Sequence, residues 1–174
     1  MTIPATGHVV RNGNGQDIVI ERTFQAPIGD VWKSIVEPER MNRWIGTWSG
    51  EAGAGNRVSF AMTAEDGAEP EEALIHRCDA PRHLDVESFQ GGTSWRLKVD
   101  LAESDGVTTL VFRQSVELSD EGASSYGPGW EYYLDRLVAT HQGTTFASWD
   151  DYYPAQAPFW EEELRKVATD TESG

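Results

Sequence analysis

The sequence predicts an α+β domain in which a curved antiparallel sheet wraps around one long helix. Three observations point there. Residues 53–118 read as a run of alternating apolar and polar positions broken by turn signals. Such alternation gives an antiparallel sheet with one covered and one wet face. A single long amphipathic segment, GPGWEYYLDRLVATH, follows all the strands. Its Trp130, Leu134, Leu137 and His141 recur at helical spacing, with Tyr133 and Val138 beside them. The order of strand, short helices, meander and long helix then specifies a two-layer α+β arrangement.

The elements follow in order. HVV and DIVIERTF flank RNGNGQ, which reads as a hairpin around an Asn-Gly turn. Ile18, Ile20, Arg22 and Phe24 share one face of the second arm. Pro27 opens a helix in which Val31, Trp32 and Ile35 fall on one side. Pro38 ends that helix or starts a second short one, whose apolar side is Met41, Trp44 and Ile45. In the meander, Val58, Phe60 and Met62 alternate. So do Leu84 with Val86, then Trp95, Leu97, Val99 and Leu101, then Leu110, Phe112, Val116 and Leu118. EDGAEPEE, CDAPRH, FQGGTS and ESDG are the turns between them. Gly127, Pro128 and Gly129 read as punctuation before the long helix. The remaining TTFASWDDYYPAQAPFWEEELRKV is too aromatic for a disordered tail, and FWEEELRKV is a short helix with acids early and bases late.

Composition bounds the function. The chain has 174 residues, 39% of them hydrophobic, and seven tryptophans, which suits one domain with a large core or an apolar pocket. A net charge of −15 disfavours nucleic acid and anionic membrane surfaces as partners. Cys78 is the single cysteine, which excludes an internal disulfide. No run of apolar residues is long enough for a span, the N-terminus has no apolar leader core, and the protein is expected to be cytoplasmic.

In ERTFQAPIGDVWKSIVEPERMNRW (21–44), GAGNRVSF (53–60), DAPRHLDVESF (79–89), DGVTTLVFRQSVEL (105–118) and GWEYYLDRL (129–137), in that order, the chain resembles the START-like SRPBCC superfamily. More narrowly it is similar to the bacterial branch related to the activator of the 90-kDa heat-shock chaperone's ATPase. The resemblance implies the helix-grip fold, with two short helices plugging one end of the sheet. It also implies a cavity between sheet and long helix that holds a small molecule in many members. Three positions depart from the pattern of relatives: Ile45 for an aromatic, Ser88 for a tryptophan, and Gln114 for a histidine. Each alters the width or polarity of such a cavity, so no relative's ligand transfers.

On this reading, residues 1–16 are an N-terminal arm with room for one short hairpin strand, and 17–141 are the START-like domain. Residues 142–169 are an aromatic extension that packs on the domain or on a second subunit, and 170–174 a frayed end. The candidate pocket residues are Trp44, Trp48, Phe60, Met62, Val86, Trp95, Leu97, Phe112, Gln114, Trp130, Tyr133, Leu134 and Leu137. Such side chains either line a void or fill a core, and the sequence leaves both open. Gln114 shares a face with Leu110 and Phe112, so it points inward and needs a partner there. His76 and Cys78 are placed on one strand face as H-x-C, too few for a zinc site. No Walker, dinucleotide or nucleophile-elbow spacing is present. No catalytic residue, metal or cofactor is assigned, and an enzyme is the less favoured class. The leading function is binding of a small hydrophobic molecule, by a monomer or by a homodimer formed through the extension. The alternatives are a cavity enzyme of the cyclase or hydrolase type and a chaperone-associated interaction domain.

Overall fold

The structure, a computed structural model, describes residues 2–13, 15–65, 69–90, 93–116 and 123–172. Eight strands form one antiparallel sheet: β1 (His8–Asn12), β2 (Gly15–Phe24), β3 (Thr47–Ser49), β4 (Arg57–Ala61), β5 (Glu71–Asp79), β6 (His83–Gln90), β7 (Thr93–Ser104) and β8 (Val107–Val116). Their order across the sheet is β1-β2-β8-β7-β6-β5-β4-β3. Thus β2 leaves the first hairpin to pair with the last strand, while the chain between them returns by consecutive hairpins. This is the helix-grip arrangement that the family resemblance implies.

Short helices α1 (Ile28–Val36) and α2 (Pro38–Met41) follow β2. Pro27 is the residue that caps α1, and Pro38 occupies the first turn of α2, where its missing N–H costs nothing. The β7–β8 turn is tight. Asp105 and Gly106 both take positive φ, 53° and 80°, as a two-residue hairpin of right-handed twist requires. The concave face follows from the register. Ile20 lies opposite Phe112, Phe112 opposite Val99, and Leu97 opposite Gln114, so these side chains point the same way. Helix α3 (Ala123–Gln142) lies across that face and buries Tyr133, Leu134 and Leu137.

Three local readings need correction. His76 and Cys78 do not share a face. A bulge between Ile75 and Arg77 inserts one residue, so Cys78 pairs with Leu84 and packs on the core. His76 is left exposed, hydrogen-bonded to Glu87 at 2.9 Å. Gly127-Pro128-Gly129 does not precede the long helix but lies inside it, since α3 begins by Ala123. The physical reason is a close approach: a Cβ on Gly127 would sit 2.2 Å from Trp160 Cδ2. Finally, Trp44 and Ile45 do not lie on the second helix: α2 ends at Met41, whose carbonyl accepts from both of their N–H groups in the turn that follows. The short strand β3 goes unmarked in the sequence, because three residues carry too little pattern. Leu118 and parts of the turns at 65–72 and 89–94 lie outside the described residues.

After α3 the chain makes a single 3₁₀ turn at Trp149–Asp151 and then α4 (Ala157–Glu172), which packs on α3 and β1. Residues 173 and 174 lie outside the described residues. The indole of Trp160, fully buried, fills the space between α3, β2 and the backbone at Gly7. A polar knot ties both chain ends to α3. Glu131, 1% exposed, accepts from the Thr6 N–H at 2.8 Å and pairs with Arg22 at 3.2 Å. Arg22 also meets Asp135, which takes the Tyr152 hydroxyl at 2.7 Å. Arg22 is therefore on the inner face, as the alternation of β2 requires, and its charge is matched there by two carboxylates. No helix among the described residues is long and apolar enough to cross a membrane.

Candidate ligand-binding cavity

The space between the concave face and α3 has a volume of about 490 Å³. All of the candidate pocket residues line it. The sheet supplies the floor with Val86, Trp95, Leu97, Phe112 and Gln114, because period-two alternation turns every second residue inward. The roof is Trp130, Tyr133, Leu134 and Leu137, one stripe of α3 at three- and four-residue spacing. Trp44, Trp48, Phe60 and Met62 close one end, carried by the chain between α2 and the end of β4.

Hydrogen bonds fix the large rings. Trp44 Nε1 donates to the Ser34 carbonyl at 2.8 Å, and Trp48 Nε1 to the Val36 carbonyl at 3.0 Å. The last turn of α1 therefore satisfies its carbonyls while orienting two walls. Trp130 Nε1 donates to Gln114 Oε1 at 2.6 Å, so the inward amide is partnered across the cavity from sheet to helix. Phe112 packs on Trp130 with ring centres 4.3 Å apart. The Trp95 indole N–H is buried with no partner among the described residues, a group that a bound acceptor or water would satisfy.

Polar groups on the wall are few. Tyr133 donates its hydroxyl to Glu65 at 2.7 Å, and Ser88 donates to Glu71 at 3.0 Å. Burial, and next the bond to Glu65, push the Tyr133 phenol well above its ordinary range. It therefore stays protonated at neutral pH and acts as a donor, not a base. His141 does not line the cavity. Its ring bonds to Ser34 Oγ at 2.9 Å and lies edge-on to Phe24, and burial holds its pKa below the ordinary value. Among the described residues no group of His, Cys, Asp and Glu is arranged to hold a metal.

Several lining residues escaped the sequence reading. Leu84, Val99 and Leu110 were on the correct strand faces and could have been named from alternation alone. Glu71 shares the inward face of β5 with Ala73, and an acid at the start of a strand carries no apolar signal. Glu65 and Trp149 come from non-periodic segments, so no pattern marks them; Trp149 brings the C-terminal extension to the cavity wall.

The model of a protein family, described as Activator of Hsp90 ATPase homolog 1-like protein, matches residues 25–142. The chain belongs to that family. Within the Activator of Hsp90 ATPase homolog 1-like family, the match runs from just after β2 through the whole of α3 and so spans most of the cavity wall. Solved structures of the same fold include CalU16 from Micromonospora echinospora, 22% identical over 92% of this chain and 96% of that one, with a TM-score of 0.74. EF2215 from Enterococcus faecalis is 17% identical over 92% of this chain and 91% of its own, with a TM-score of 0.70. DynU16, from the dynemicin biosynthetic locus, is 18% identical, with a TM-score of 0.66 over 74% of this chain but 48% of its own. No curated protein sequence matches the chain.

Proposed function

We propose that this protein binds a small hydrophobic molecule between its sheet and α3. The observation that supports the reading is a space of about 490 Å³ walled mainly by apolar and aromatic side chains, within the range of ligand sites. Protein interiors are otherwise filled to crystal density, and a void of that size is not retained for stability. The wall is also preset: the Trp44, Trp48 and Trp130 rings are each held by a hydrogen bond. A pocket ordered before the ligand arrives loses less entropy on binding.

The test is titration with an uncharged hydrophobic dye such as Nile red, alongside native mass spectrometry of protein gently purified from its host. One-to-one dye binding is expected, with a released small molecule as the corresponding result for the native ligand. Leu97→Trp, which fills the floor, should abolish dye binding while the protein stays folded. Absence of dye binding by the wild type, or undiminished binding by Leu97→Trp, would sink the proposal.

A second reading, a cavity enzyme, has one observation in its favour: the Tyr133–Glu65 pair faces the space. The Tyr133 hydroxyl gives its one proton to Glu65 and so holds in place a carboxylate suited to taking a proton from a bound molecule. Tyr133→Phe would then abolish turnover of a bound molecule without abolishing its binding. Equal turnover by the variant would remove this reading.

A further inference from the structure

The charges on the cavity wall have one sign. Glu65 and Glu71 line it, and no Lys, Arg or His does. Every basic side chain of the sequence falls within the described residues, so none is hidden from this comparison. The two carboxylates are held in place, Glu65 by Tyr133 and Glu71 by Ser88. Both stand beside aromatic rings, Glu71 half-buried and Glu65 exposed. Phe60 lies opposite Trp48 on one side and Glu71 on the other, and Ser88 lies opposite Trp95. An anion entering this space would meet two carboxylates and no cationic side chain, with the neutral Trp95 N–H as a poor substitute for its lost hydration. A cation would meet the opposite: carboxylate oxygens as charged acceptors and ring faces as negative quadrupoles.

We propose that the cavity selects apolar molecules that carry a protonated amine, with the ammonium group at the Glu65–Glu71 end and the hydrocarbon body over Phe112 and Leu97. The inference rests on the reading of the cavity as a ligand site. It adds a chemical class to that reading, and one matched series tests both. Naphthylmethylamine, naphthylmethanol and naphthylacetate share a body and differ in charge. Calorimetry at physiological salt, where distant surface charges are screened, reports their affinities. The amine is expected to bind about tenfold or more tighter than the alcohol, the scale of one charged hydrogen bond, and the acetate weakest. The isosteric double variant Glu65→Gln/Glu71→Gln should bring the amine down to the alcohol's affinity and leave the alcohol unchanged, which also shows that the variant is folded. Equal binding of amine and alcohol, tightest binding of the acetate, or an amine advantage that survives in the double variant would overturn the charge selection while leaving the hydrophobic site standing. Failure of all three probes to bind would overturn the site itself, and the inference with it.

Discussion

Trp160 and Gly127 form a pair whose substitution tests how α4 belongs to the domain. Trp160 is fully buried, and its indole lies where a Cβ on Gly127 would come within 2.2 Å of Cδ2 and 2.3 Å of Cε2. A buried aromatic removes roughly 150–250 Å² from water, which at about 25 cal/mol per Å² gives about 4–6 kcal/mol. Large-to-small replacements of this kind cost about 3–5 kcal/mol in practice. Trp160→Ala should therefore lower the melting temperature by on the order of 10 °C for a chain of this length. Gly127→Ala introduces a clash that the ring must relieve by moving, at about 1–3 kcal/mol. The informative measurement is the double variant. Once the indole is gone the clash is gone, and alanine inside a helix is favoured over glycine by about 0.5–1 kcal/mol. Gly127→Ala should thus destabilise the wild type and stabilise Trp160→Ala, a change of sign readable by urea denaturation of the four proteins. If Gly127→Ala costs the same in both backgrounds, the glycine is not there for the ring and the packing argument fails.

Further expectations concern the knot, the cavity wall and a histidine. Glu131→Gln leaves Arg22 short of a matched charge in a buried place, and a loss of about 3 kcal/mol in urea denaturation is expected; a loss below about 1 kcal/mol would show that Asp135 alone suffices. Phe112→Ala should cost well under the about 3–5 kcal/mol of a filled core, because one side of the ring faces space, and should let the site accept a bulkier hydrophobic dye. A full core penalty with unchanged dye selectivity would make Phe112 a core residue. His141 has a pKa held below its ordinary value by burial, so the unfolded chain takes up its proton first as pH falls. Its contribution is present above about pH 6.5 and is lost as pH falls below that value. His141→Gln should therefore flatten the fall in melting temperature between about pH 6.5 and pH 5; an unchanged slope would assign the acid sensitivity to other groups.

Sheet and helix were readable because their periods are enforced by burial. Leu97, Val99, Phe112 and Gln114 face the cavity for the reason their spacing declares, and Trp130, Leu134 and Leu137 form the one stripe that α3 turns inward. The failures have local causes. A bulge at His76 breaks parity, and parity is the whole of a strand's signal. Gly127 and Pro128 look like punctuation because a lone sequence cannot show that the glycine makes room for a tryptophan 33 positions later. Glu65 and Trp149 reach the cavity from segments with no period at all, so their roles depend entirely on tertiary placement.

The ties that bind both chain ends to α3 make the family's signature smaller than the object that folds. The matched stretch, residues 25–142, omits the whole of β1, β2 and α4. Cut to that stretch, β8 would lose the partner that runs its full length and present a long open edge. Glu131 would keep its charge and lose Arg22 and Thr6 together, and α3 would lose Trp160 from its contact at Gly127. Here the terminal segments act as a clasp, and a fragment designed from the signature alone would arrive with the clasp undone.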